Sequence, residues 1–362
     1  MTETTTVGVV GCGGISPAYL TAPGRFPSIR VTACADLDLE RAKERAHQFG
    51  VPTACGVDDL LASDVEVVVN LTPPAAHHAL TMRAIAAGKS VWSEKPLAVD
   101  RAQAAEATAA ARERGVLLGC APDTFLSPAF QMARNLVDWG AIGKPVGASA
   151  FFASHGPESS HADPAFLYRP GAGPLLDMGP YYLTVLTSLL GPVTRVSGAA
   201  ATGTAQRVVG SGPRAGDVIE VQTPTHVLAG LTFAGGAVAT MMTSFDVWAT
   251  GLPRIEIYGT GGTLALPDPD EYGGVVRWLQ AGWTDWREVP VDPYRAGRGM
   301  GLADLARALR TGDEPRAHAA QAAHVLDVLL SVLESHESGT HLDIPTVFTR
   351  GPQVGPAGVE NG

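Results

Sequence analysis

The stretch TVGVVGCGGIS, residues 6–16, decides the fold. Its first half is an apolar, β-rich run, and its second half is a glycine turn that ends on Ser16. Gly11, Gly13 and Ser16 form a GxGxxS variant of the dinucleotide-binding fingerprint, directly after a strand. The first glycine permits the tight turn and the second lets backbone approach a pyrophosphate. The small third residue lets the next helix pack on the strand. Gly14 and Ile15 complete the turn. The pattern calls for an acid about 20 residues on, at the end of a second strand, to take the ribose hydroxyls. Asp36 in VTACADLD (31–38) is that acid. A carboxylate there would repel the 2′-phosphate of NADP, so NAD is the expected cofactor, while Arg41 and Lys43 nearby leave room for NADP.

Outward from this turn the chain alternates strand-like and helical runs as far as Cys120. IRVTACAD (29–36), VEVVVNL (65–71), SVWSEKP (90–96) and GVLLGCA (115–121) read as strands. LERAKERAHQFG (39–50), AHHALTMRAIAAG (76–88) and RAQAAEATAAARERG (101–115) read as helices closed by glycine. Strand, helix, strand in this rhythm gives right-handed crossovers and a doubly wound parallel sheet of the Rossmann type. After Pro122 the rhythm changes. Runs such as THVLAGLTF (225–233), GAVATMMTSFDVW (236–248) and RIEIYGTGGTLAL (254–266) are joined by hairpin-length glycine turns. They predict an α+β domain on an open, mainly antiparallel sheet, with helices on one face. The expected division is 1–122, 123–345 and a Gly/Pro-rich tail at 346–362. The uncovered sheet face predicts a homodimer or homotetramer.

The formal net charge of −10, with no cluster of Lys or Arg, argues against nucleic acid or anionic membrane as partner and for a small molecule. Cys12, Cys34, Cys55 and Cys120 have no CxxC spacing and read as buried thiols of a reducing, cytoplasmic compartment. The N-terminal stretch lacks a basic then apolar leader pattern, and no run of about 18 apolar residues suggests a membrane span.

Carboxyl ends of parallel strands are where ligands bind in such sheets, which marks two further segments. In NLTPPAAHHAL (70–80), Leu71, Thr72 and Pro73 are placed to line the cofactor, with His77 beside them. In SEKPLAV (93–99), Glu94 and Lys95 precede a proline that fixes the turn, and a partly desolvated lysine there can stabilise charge on a substrate oxygen. Beyond the boundary, LLDMGPYYL (175–183) sets one acid in an otherwise apolar, small and aromatic stretch. Asp177 and Tyr181 are one helical turn apart, with Pro180 demanding a helix start or kink between them. They are either a cap and a core residue or a pair of substrate groups. The loop SHGPESSHADPAFLYRPGAG (154–173) offers His155, Glu158, His161 and Tyr168 to a polyhydroxylated ligand. Its H-x2-E-x2-H spacing lacks helical support, so no metal is expected. Trp248, Trp278, Trp283 and Trp286 read as packing or interface residues, and Asp123 and Thr124 stay unassigned.

The GxGxxS opening, the strand-end EKP and GAGPLLDMGPYYL together resemble the Gfo/Idh/MocA family over nearly the whole chain. The resemblance implies a pyridine-nucleotide oxidoreductase for a sugar, polyol or cyclitol hydroxyl. It places the family's catalytic lysine on Lys95 and its substrate-site acid on Asp177. Many members carry histidine four residues after that acid; here the position is Tyr181, which would serve as proton donor or acceptor. The alternatives are an NADPH-linked keto-sugar reductase and a non-catalytic dinucleotide-binding sensor or assembly subunit. Retention of Lys95, Asp177 and Tyr181 together argues against the last.

Overall fold

The computed structural model describes residues 4–161, 163–291 and 294–360. Its contacts form two units. The first is Met1–Gln131 with Val291–Leu326 and Thr349–Gly362, and the second is Met132–Pro290 with Asp327–Phe348.

In the first unit the glycine turn follows β1 (Thr5–Val10) and leads into α1 (Ser16–Leu20). Next come β2 (Ile29–Ala35), α2 (Leu39–Phe49), β3 (Thr53–Cys55), α3 (Val57–Ala62) and β4 (Val67–Asn70). The series closes with α4 (Pro74–Ala86), β5 (Ser90–Ser93), α5 (Arg101–Arg114) and β6 (Leu118–Cys120). All six strands are parallel, in the order β3-β2-β1-β4-β5-β6, the doubly wound arrangement with its switch point beside β1. The sequence reading has five strands here. It misses β3 and α3, because three residues of Thr, Ala and Cys carry no periodicity. Helices α2 and α5 start on the side chains of Asp38 and Asp100 and end on left-handed Gly50 and Gly115.

The second unit is built on a nine-stranded sheet. Helix α6 (Pro128–Asp138) leads into β7 (Pro145–Ala153), followed by α7 (Gly173–Leu190) and β8 (Val193–Ala201). Strands β9 (Gln206–Val208) and β10 (Val218–Glu220) pair as a separate ribbon. The sheet resumes with β11 (His226–Phe233), β12 (Val238–Ser244), β13 (Ile255–Gly259), β14 (Gly262–Leu266), β15 (Val276–Gln280) and β16 (Arg287–Val289). Helices α8 (Met300–Thr311) and α9 (Ala319–Ser338) and the short β17 (Leu342–Asp343) complete the chain. The order is β16-β15-β14-β13-β7-β12-β11-β8-β17, antiparallel except for β7 with β12.

Helix α7 covers one face, on β7, β11 and β12. On the strands themselves Val146, Leu228 and Val238 stay exposed. The sequence places one boundary near residue 122, whereas the first unit also takes in later segments. The reason is packing: α8 lies on β2, β5 and β6, and Cys120 donates its amide to Ala317 O at 3.1 Å. Gly301 of α8 leaves no room for a side chain against the Trp92 indole.

Candidate active site

In the first unit, the loop after β1 is shaped by Gly11. Its φ is +100°, and a Cβ there would lie 2.7 Å from the Leu71 carbonyl group. No side chain fits that approach. By contrast, a Cβ at Gly13 or Gly14 would meet nothing within 4 Å, so the space over the loop is open. Ser16 is fully buried and donates its hydroxyl to Gly13 O at 2.8 Å, closing the turn from below. Asp36, at the end of β2, accepts the amides of Cys12 at 2.8 Å and Asp38 at 3.0 Å. A carboxylate has about four acceptor positions, so capacity is left for two ribose hydroxyls. The Arg41 guanidinium stands 3.5 Å away. Open space over the glycines beside an anchored acid fits the adenosine half of a dinucleotide.

Gly11→Ala is expected to add about 1–2 kcal/mol of backbone strain and to push Leu71 off the loop, with nucleotide affinity falling about tenfold or more. Titration of the variant with NADH measures this, and unchanged affinity would remove the loop from the cofactor site.

The two neighbouring strand ends are tied together. Asn70, the last residue of β4, accepts the Thr72 hydroxyl at 2.7 Å and donates to His77 O at 3.0 Å, which sets the Leu71-Thr72-Pro73 turn. His77 is buried, with Nδ1 2.6 Å from Pro96 O and Nε2 2.7 Å from Thr72 O. Burial draws its pKa below the ordinary histidine value, while the two carbonyl oxygens oppose that shift. It thereby joins the turn after β4 to the Lys95-Pro96 peptide, which is cis.

Glu94 is held from three sides. It accepts the Tyr19 hydroxyl at 2.8 Å and the Lys95 amide at 3.1 Å, and pairs with Arg298 at 3.4 Å. Trp92 supports Tyr19 through its indole N–H at 3.0 Å. Lys95 itself is half-buried. The sequence reading named Glu94 and Lys95 but not Asn70, Tyr19 or Arg298. Arg298 comes from a segment that the sequence assigns to the other domain, so no local signal marks it. Asp123, left unassigned, is fully buried and accepts the Gly301 amide at 2.8 Å.

In the second unit, Asp177 and Tyr181 lie on α7, half-buried and buried respectively. Of the two expectations at Pro180, a helix start or a kink, the start is excluded. Helix α7 begins at Gly173 and runs through Pro180. A Cβ on Gly179 would lie 2.8 Å from Leu329, so the glycine serves the packing of α7 against α9. Tyr182 is fully buried, edge-on to Phe152.

The loop 154–173 is organised by a residue that the sequence reading did not name, Arg207 on β9. It pairs with Glu158 at 2.9 Å and with Asp246, and donates to Phe245 O at 3.1 Å. The Tyr168 hydroxyl donates to Glu158. Burial, followed by that carboxylate, pushes the phenol pKa well above its usual range. Glu158, read from sequence as a substrate contact like Tyr168, is thus bonded to both Tyr168 and Arg207. His161 is exposed and meets Phe166 edge-on at 5.4 Å. His155 stacks on Trp248, their ring centroids 3.3 Å apart. Trp278 and Trp283 pack together at 4.9 Å, and Arg277 lies over Trp286. Among the described residues, no group of three or more His, Cys, Asp or Glu side chains could hold a metal ion.

A six-stranded doubly wound unit with this glycine loop, followed by an open mixed sheet, defines a Rossmann-type dinucleotide-binding protein with an appended α+β domain. Residues 5–121 match the oxidoreductase family with NAD-binding Rossmann fold, and residues 130–265 match the GFO/IDH/MocA C-terminal domain. The chain belongs to the Gfo/Idh/MocA oxidoreductase family.

It is 38% identical over 202 residues to a dTDP-3,4-didehydro-2,6-dideoxy-alpha-D-glucose 3-reductase of Streptomyces violaceoruber, covering 53% of this chain and 56% of that one. It is 36% identical over 188 residues to the trans-1,2-dihydrobenzene-1,2-diol dehydrogenase of Mus musculus, covering 51% and 56%. The matched stretch thus spans little more than half the length of these curated relatives. Among solved structures, an NAD binding oxidoreductase from Klebsiella pneumoniae is 25% identical, with a TM-score of 0.81 over 94% of this chain and 99% of that one. A levoglucosan dehydrogenase in complex with NADH and L-sorbose shares the fold, with a TM-score of 0.83 at 21% identity over 95% and 100%.

Proposed function

We propose that this protein is a nicotinamide-dependent oxidoreductase that acts on a secondary hydroxyl or ketone of a sugar, polyol or cyclitol. The observation that carries the reading is the Glu94-Lys95-Pro96 turn, braced by Tyr19, Arg298 and His77 at the end of β5 in a chain of this family. A surface lysine would need no such support.

A nicotinamide nucleotide held here would accept or supply the hydride. Gly11, Gly13, Gly14, Ile15 and Ser16 would form its loop, Asp36 would take the ribose hydroxyls, and Leu71, Thr72, Pro73 and His77 would shape the next wall. Lys95 donates a hydrogen bond to the reacting oxygen and stabilises the negative charge that develops there. Tyr181 carries the proton, and Asp177 accepts from a neighbouring substrate hydroxyl and fixes its orientation. His155 and His161 offer further polar contacts to the sugar. The exposed Val146, Leu228 and Val238 support assembly through the sheet face into a homodimer or homotetramer. The unbridged cysteines support a reducing, cytoplasmic setting, with a small sugar rather than nucleic acid or membrane as partner. Among the described residues, no helix is long and apolar enough to cross a membrane.

A second reading, an NADPH-linked keto-sugar reductase, is favoured by Arg41 beside Asp36 and by the reductase named among the relatives. Parallel fluorescence titrations with NADH and NADPH separate the two. Tighter NADH binding is expected, because Asp36 already satisfies two amides as a carboxylate and repels a 2′-phosphate. A preference for NADPH would assign Arg41 to the 2′-phosphate and promote the reductase. Binding of neither nucleotide to protein free of copurified cofactor would overturn both.

A further inference from the structure

His77, on α4, stands between the two strand-end turns of the candidate site, and only 1% of it is exposed. Nδ1 lies 2.6 Å from Pro96 O in the turn after β5, and Nε2 lies 2.7 Å from Thr72 O in the turn after β4. Both partners are carbonyl oxygens, which only accept. Neither ring position can be a carbon, because a C–H group stands about 3.3–3.6 Å from a carbonyl oxygen. Turning the ring over therefore relieves nothing.

Protons decide which contacts hold. A neutral imidazole carries one N–H, and its other nitrogen presents a lone pair, which a carbonyl oxygen at this distance repels. Two hydrogen bonds need the imidazolium, with a proton on each nitrogen. Burial lowers the pKa of His77, the Pro96 and Thr72 carbonyls and the charge of Glu94 raise it, and Lys95 lowers it. The exchange between the two forms thus falls on the acid side of the ordinary histidine value. Helix α4 packs on β4, β5 and α5. Strands β4 and β5 carry no titratable side chain. Helix α5 brings Arg101, Glu106, Arg112, Glu113 and Arg114, of which Glu106 stands 3.0 Å from the neighbouring His78.

The two turns do not give equally. Asn70 accepts the Thr72 amide at 3.2 Å and the Thr72 hydroxyl at 2.7 Å, and donates to His77 O at 3.0 Å. The Thr72 turn and the helix that carries the ring are thus fixed to one residue of β4. On the other turn, Glu94 accepts the Lys95 amide at 3.1 Å, one residue before Pro96. A ring that loses a proton therefore keeps Nε2–H on Thr72 O and turns its lone pair to Pro96 O.

We propose that His77 is a positioning residue for Lys95 that works through its proton: the imidazolium ties the lysine turn to the nucleotide wall, and the neutral ring releases the lysine turn. The consequence for turnover rests on the oxidoreductase reading, whereas the protonation of the ring does not.

The test is the nitrogen NMR spectrum of the full chain with isotope-labelled histidine, recorded across pH, with His77→Gln identifying the His77 signals. Both ring nitrogens should carry protons below the transition, and Nε2 alone above it. In parallel, the ratio of kcat in the parent protein to kcat in His77→Gln should fall about three- to tenfold as pH rises through the same interval, because an amide donates at every pH. A merely structural role would lower kcat by one factor at all pH values. A flat ratio, one protonated nitrogen throughout the range in which the fold survives, or Nδ1–H as the neutral form would overturn the proposal. A parent protein that turns over no sugar would remove the oxidoreductase reading instead, and the spectra alone then decide the ring.

Discussion

Lys95→Ala lowers kcat roughly a hundred- to ten-thousand-fold and leaves the NADH dissociation constant close to that of the parent. The split follows from where the lysine sits. The glycine loop and Asp36 lie at the ends of β1 and β2, away from the turn after β5 that carries Lys95, so removal of the ammonium leaves the nucleotide anchors in place. Because Glu94, not Lys95, carries the contacts to Tyr19 and Arg298, the turn should survive the change. Tyr181→Phe in the same assays should cost on the order of a hundredfold in kcat, since a ring without its hydroxyl keeps the packing and loses the proton. Steady-state kinetics with the best sugar from a screen, paired with the NADH titration, reads both variants. Retained turnover in Lys95→Ala would remove the lysine from the catalytic machinery, whereas nucleotide binding with no turnover of any sugar by the parent protein would promote the sensor reading.

Arg207→Met destabilises the second unit by about 3–5 kcal/mol, because it strands two carboxylates that are paired in a largely buried cluster. The melting temperature should fall on the order of 10 °C. The triple change Arg207→Met, Glu158→Gln, Asp246→Asn should recover much of the loss, since neutral amides need no guanidinium. A single variant that melts with the parent protein would show that water already screens these charges.

The contrast between the two sites explains what the sequence could disclose. The glycine loop, the glycine stops at Gly50 and Gly115 and the acid at Asp36 are encoded within a few residues of where they act, so turn chemistry and periodicity expose them. Asp177 and Tyr181 were legible by their oddity in an apolar stretch, but their helix was not. Propensity calls for a helix start or a kink at Pro180, whereas α7 begins seven residues earlier and continues past it, with Gly179 packed on Leu329. Arg207 and Arg298 left no trace at all. Each is an ordinary arginine in a polar stretch, and its meaning comes from carboxylates at Glu158 and Glu94 that only the fold brings near. The loop 154–173 shows the same limit in reverse: the right residue types were visible, but which of them turn inward was not.

The first unit's discontinuity also bears on how the protein is made. Arg298 on Glu94, Val354 on Gln131 and Glu360 on Ser28 all join late residues to the nucleotide-binding fold. At a synthesis rate of about 5–20 residues per second, the stretch from 131 to 360 occupies roughly 10–50 s. Through that interval the glycine loop and its parallel strands are already outside the ribosome without the segments that brace them. The first unit, with Glu94, Gln131 and Ser28 all tied to late residues, is therefore completed only late in synthesis.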